Sequence, residues 1–147
     1  MKLFKSVDKV LARMGSSKAT DRAYNEPLTA EKIKQIPGEQ LAASEAGGMW
    51  AGIQELNGYV FIELIVLDTT KIKTFKGVSL TFLGDSELTL ESDNKEVNSE
   101  FSDLFNRWLT QISFEISKKD LNYIKRKKYN QIQLDFKKKS LMFEVKK

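Results

Sequence analysis

The chain has 147 residues, 41% of them hydrophobic and 30% charged, a balance that fits one globular domain with a real core and excludes a disordered chain. It contains no Cys and no His, which excludes disulfides, thiolate nucleophiles, Ser-His-Asp triads and metal sites built on those side chains. The net charge of +4 is uneven: residues 1–60 carry 8 basic and 7 acidic groups, 61–110 carry 5 and 9, and 111–147 carry 11 and 4.

In chain order, residues 1–14 read as an amphipathic helix. Leu3, Phe4, Val7, Val10, Leu11 and Met14 recur at spacings of three and four, with Lys2, Lys5, Lys9 and Arg13 elsewhere on the wheel. A helix this short is marginal alone in water, so its stripe needs a surface. That surface is the domain's own sheet, a second protein chain (a homo-oligomer included) or, less favoured, a membrane. The stripe is therefore the candidate partner-binding site. Asp8, Lys9 and Arg13 interrupt any secretory apolar core, and no stretch reaches membrane-spanning length, so the expected location is the cytoplasm. Residues 16–27 read as a polar loop ending in Pro27. A second short helix follows, with Thr29 as N-cap, Glu31 in the first turn, Leu28, Ile33 and Ile36 as its apolar side, and Pro37-Gly38 as the stop. Residues 39–46 are expected to add a helical turn. This divides the chain into an N-terminal helical segment and linker, 1–48, and a β-rich domain, 49–147.

The β-rich part is organised around Tyr59–Leu67, apolar on both sides apart from Glu63 and so expected in the middle of a sheet. Asn57-Gly58 joins it to the strand Trp50–Leu56 as a hairpin, with Gly52 suggesting a bulge. After a polar connection over 68–76, with Ile72 and Phe75 under it, Val78, Leu80 and Phe82 alternate, as do Leu88 and Leu90. Val97, Ser99 and Phe101 make a weaker strand, and Trp108, Thr110, Ile112, Phe114 and Ile116 a clear one. Ser117 and Asp120 stand at capping-box spacing before a short helix with Leu121 and Ile124 inward. Ile132, Leu134 and Phe136, a turn at Lys137-Lys138-Lys139-Ser140, and Leu141, Phe143 and Val145 form a last hairpin. The expected fold is α+β and mainly antiparallel β: a sandwich or partly closed barrel of about seven strands, two N-terminal helices and one short late helix.

Four groups of residues invite a chemical reading. Gly47, Gly48 and Gly52 match neither phosphate-loop pattern and precede a strand, so they read as turn and close-approach positions. Glu63 is a carboxylate in an apolar strand and a candidate acid or base, or else a structural partner of a neighbour. Asp85, Glu87, Asp93 and Glu96 lie near two turns without calcium-loop spacing. Lys125, Arg126, Lys127 and Lys128, flanked by Tyr123 and Tyr129 and followed by Lys137, Lys138 and Lys139, form the candidate anion or nucleic-acid patch. With no catalytic residue, cofactor or metal motif matched, the reading is a non-catalytic binding domain, such as an adaptor, inhibitor or assembly component. Nucleic-acid binding through the basic patch is the alternative, and a carboxylate-dependent hydrolase using Glu63 a second.

Overall fold

A computed structural model describes residues 29–145; the helix expected over 1–14 and the loop over 16–27 lie outside the described residues. The chain enters through one helical turn, α1 (Ala30–Ile33), where Thr29 Oγ1 accepts from Lys32 N at 3.3 Å, the N-cap contact expected of it. Gly38 then takes φ 96°. Residues 39–43, expected to be helical, are instead a strand, β1 (Glu39–Ala43), paired with two neighbours. Gly47 explains the tight entry into the next strand. A Cβ there would stand 1.8 Å from the Leu67 carbonyl oxygen, a contact no side chain tolerates.

The strands that follow are β2 (Gly48–Leu56), β3 (Tyr59–Asp68), β4 (Lys73–Thr74), β5 (Ser79–Gly84), β6 (Glu87–Glu91), β7 (Val97–Asn98), β8 (Glu100–Ser102) and β9 (Arg107–Ile116). Helix α2 (Lys118–Arg126) intervenes before β10 (Tyr129–Phe136) and β11 (Lys139–Val145). Nine of them form one antiparallel sheet in the order β6-β5-β10-β11-β1-β2-β3-β9-β8, while β4 and β7 make a separate ribbon. The large sheet curls into a half-barrel, so the partly closed barrel is the nearer of the two expected architectures. The expectation of about seven strands is too low: β1 stands where a helical turn is expected, β4 lies inside the expected connection over 68–76, and the weak strand expected at Val97, Ser99 and Phe101 is split into β7 and β8. Among the described residues no helix is long and apolar enough to cross a membrane.

Alternation decides what lies inside. On β3, Val60, Ile62, Leu64 and Val66 face the interior with Phe82, Phe114, Ile132, Leu134 and Phe143, and side chains fill the half-barrel. Ile65 and Leu67 face outward into a second, smaller core with Trp50 and Leu109, covered by Ile33, Ile36, Leu104 and Phe105. That outer core is why β3 is apolar on both sides. Tyr59 departs from the pattern, being 57% exposed, and Phe61 is only half-buried. The β2–β3 register runs unbroken through Gly52, paired with Glu63; the bulge lies on β1 instead, between Gln40 and Ala42.

The turn after β6 draws the curled sheet together. Asp93 N donates to Ser113 O at 2.8 Å, Ser113 N to Asn94 Oδ1 at 3.0 Å, and Glu115 N to Asp93 Oδ1 at 3.1 Å. These bonds occupy backbone groups on the side of β9 that short β8 does not reach.

Candidate functional site

Helix α2 lies over one end of the half-barrel, and its sequence explains its place. Ser117 is the N-cap, its side chain accepting from Asp120 N at 3.1 Å. Leu121 and Ile124 are buried in the interior core and pin the helix down. Lys127 ends it in the left-handed conformation at φ 52°, its N–H donating to Ile124 O. The opposite face carries Lys118, Lys119, Lys125 and Arg126, all exposed, and exposed Lys128 follows. Lys127 is drawn aside by an ion pair with Glu39 of β1.

The two tyrosines beside this cluster face inward. Tyr129 is buried, packs edge-on against Phe82, and donates from its hydroxyl to Ile124 O at 2.8 Å. Burial, with smaller contributions from Glu39 and Tyr123, pushes its phenol up to about 12, so it is a fixed donor. Tyr123 stacks on Tyr129 and donates to Ser86 O at 2.7 Å. The second half of the expected patch lies elsewhere. Lys137 and Lys138 form a two-residue turn, with Lys137 at φ 50°, and Lys139 already belongs to β11. This turn is tighter than the four residues expected. The 8 residues of β10 separate it from Lys128, a span of about 25 Å at roughly 3.3 Å per residue. Lys125, Arg126 and Lys128 thus share a surface with Lys118 and Lys119, which lie outside the continuous basic run and are joined to it by helical spacing.

The same end of the molecule carries exposed apolar side chains. Asn57 and Gly58 turn the β2–β3 hairpin with φ 52° and 84°, as the sequence predicts for the pair. Beside the turn Leu56 is 51% exposed and Tyr59 57%. Val60 pairs with Ile116, so the next step of the ladder puts Tyr59 beside Ser117, where α2 begins. Phe75 and Met142 are also exposed, Met142 on the outward side of β11.

Glu63 is fully buried on the outward side of β3. Ser113, its direct cross-strand partner on β9, donates its hydroxyl to Glu63 Oε2. Among the described residues Oε1 has no hydrogen-bond partner, and neither has the buried Oε1 of Gln54 on β2. Burial holds the carboxyl above its ordinary value; the Ser113 hydrogen bond opposes this and the charge of Asp93 adds to it. The acidic residues of the middle of the chain are dispersed, since Asp85 precedes β6 and Asp93 and Glu96 follow it. Among the described residues no group of three or more Asp or Glu could hold a metal ion. The stripe Leu3, Phe4, Val7, Val10, Leu11 and Met14 lies outside the described residues. No family model, curated protein or solved structure matches this chain.

Proposed function

We propose that the chain is a cytoplasmic, non-catalytic binding domain that meets an acidic protein partner with the α2 end of its half-barrel. The observation carrying this reading is the position of Leu56 and Tyr59, large and half-exposed, next to the start of a helix whose outer face is lysine and arginine. Apolar anchors bordered by charge are the composition of protein interfaces, where a few aromatic and aliphatic residues supply most of the affinity. A rim of cations adds steering toward an acidic surface. The filled interior favours function on the outside of the barrel. The nucleic-acid alternative retains the cations, but Tyr123 and Tyr129, the rings that would stack bases, pack inward.

The test is affinity capture from native lysate, with and without nuclease, using the wild type, a Leu56→Asp/Tyr59→Asp variant and a Lys118→Glu/Lys119→Glu variant. The expected result is a protein retained by the wild type and lost with both variants. Equal retention by all three would refute the reading, and retention that disappears with nuclease would favour the alternative.

A further inference from the structure

The β2–β3 hairpin projects past its neighbour. β1 pairs with β2 only as far as Glu39↔Ala51, where Gly38, at φ 96°, turns the chain away toward the outer core at Ile36. β3 pairs with β2 along its whole length, to Leu56↔Tyr59. Among the described residues, then, no strand pairs with Ile53, Gln54, Glu55 and Leu56 on the β1 side. Register decides which backbone groups are open there. Leu56 and Tyr59 flank the two-residue turn and bond each other, so the alternate residues Gln54 and Gly52 also bond β3. The N–H and C=O of Ile53 and Glu55 point the other way, in line with those of Ala51 that meet β1. Both side chains are exposed, Ile53 at 44%. An open run of donors and acceptors beside apolar side chains is a template for one more strand.

We infer that this edge takes an extended acidic segment of a partner protein, added to the sheet as a strand beside β2 where β1 stops. The inference rests on the acidic partner proposed for the α2 end and adds the form in which it binds. Charge selects the occupant. Glu39, the β1 residue opposite Ala51, is ion-paired with Lys127 at the end of α2. That end of the helix, with exposed Lys125, Arg126 and Lys128, therefore stands beside the place where β1 stops. Ile53 lies only two residues, about 7 Å, further along β2 than Ala51. A second copy of this chain is disfavoured, because pairing edge to edge would bring two such cation clusters together. The free edge of β6 makes a contrast: its exposed side chains include Glu87 and Glu91, which repel an acidic strand. Main-chain bonds to Ile53 and Glu55 supply the affinity, and the cations together with Leu56 the selectivity.

The probe is a labelled peptide, Glu-Val-Glu-Val-Glu-Val-Glu with blocked ends, which as a strand puts carboxylates on one side and valines on the other. Its binding to the full chain is followed by fluorescence anisotropy at low salt. The expected result is binding by the wild type, weakened about tenfold by Glu55→Pro, which removes one N–H of the open edge and leaves every bond to β3. Glu55→Pro also removes a negative charge, which alone would strengthen binding, so a loss reports the N–H. Lys125→Glu/Arg126→Glu should weaken binding too, and the same peptide with lysine in place of glutamate should not bind. Hydrogen exchange followed by NMR reads the same bonds in the wild type, should Glu55→Pro not fold. The amides of Ile53 and Glu55 should exchange freely without the peptide and become protected with it, those of Gly52 and Gln54 being protected throughout. Absence of peptide binding, or binding without protection of Ile53 and Glu55, would overturn the inference. Protection of both amides before peptide is added would overturn it as well, showing that another segment of the chain or, if it rises with concentration, a second copy holds the edge. Lysate capture lost with Leu56→Asp/Tyr59→Asp but unchanged by Glu55→Pro would leave the proposed interface standing and refute its strand form alone.

Discussion

Glu63 and Ser113 face each other as directly paired residues of β3 and β9, and the Ser113 hydroxyl donates to Glu63 Oε2, while among the described residues Oε1 finds no donor. The strand pairing brings them together across fifty residues of sequence. The hydroxyl offsets part of the cost of burying the carboxyl, and burial still prevails in raising its proton affinity.

That imbalance sets a pH dependence. The carboxyl is raised in the folded protein above its ordinary 4.5, so between that value and the folded one the native state binds more protons than the unfolded state. Stability contributed by Glu63 is thus fully present below 4.5 and is lost as pH rises toward the folded value. Glu63→Gln, which keeps the shape and the acceptor for Ser113, should be more stable than wild type at neutral pH. The gap should close as pH falls to 4.5. Urea titrations at pH 7 and pH 4.5 measure it, and a pH-independent difference between the two proteins would contradict the expectation.

Gly58 tests the hairpin without a steric complication. It sits at φ 84°, and a Cβ added there would meet nothing within 4 Å. The whole cost of Gly58→Ala is therefore conformational, roughly 1–2 kcal/mol for a non-glycine residue in the left-handed region, and Gly58→Val should cost more. Thermal unfolding of the two variants should rank them in that order. Equal stability to wild type would show that the turn is not held as described.

Lys127 offers the opposite sign. It closes α2 in the left-handed conformation at φ 52°, a position glycine adopts without strain. Lys127→Gly should stabilise by up to about 1 kcal/mol, reduced slightly by losing the exposed ion pair with Glu39, since such pairs contribute little. A midpoint shift in urea gives the answer. A clear destabilisation would mean that the Glu39 contact outweighs the backbone term.

The basic groups should behave as two independent sets. Any polyanion held by Lys118, Lys119, Lys125, Arg126 and Lys128 would engage about four phosphates at once, giving a slope of about −3 to −4 in log K against log salt. Charge reversal at Lys125, Arg126 and Lys128 should abolish such binding, measured with a single-stranded oligonucleotide at low salt. Reversal at Lys137, Lys138 and Lys139, at the far end of β10, should leave it nearly unchanged. Equal loss from both sets would show that the ligand spans the strand.

By itself, the sequence determined the features that depend on neighbours along the chain. Apolar alternation located β2, β3, β5, β9, β10 and β11, Asn57-Gly58 declared its turn through the φ it requires, and Ser117 announced the start of α2 through the donor it satisfies. Tertiary structure decided what depends on which strands meet. β1 has only five residues and no clear period, and it is a strand because β2 and β11 supply its hydrogen-bond partners. Glu63 finds a hydroxyl on β9 that no local pattern connects to it. The run from Lys125 to Lys139 is contiguous as a string and divided in space, because an extended strand advances about 3.3 Å per residue and carries its two ends apart. Lys118 and Lys119 join the first group because a helix returns to the same side every three or four residues.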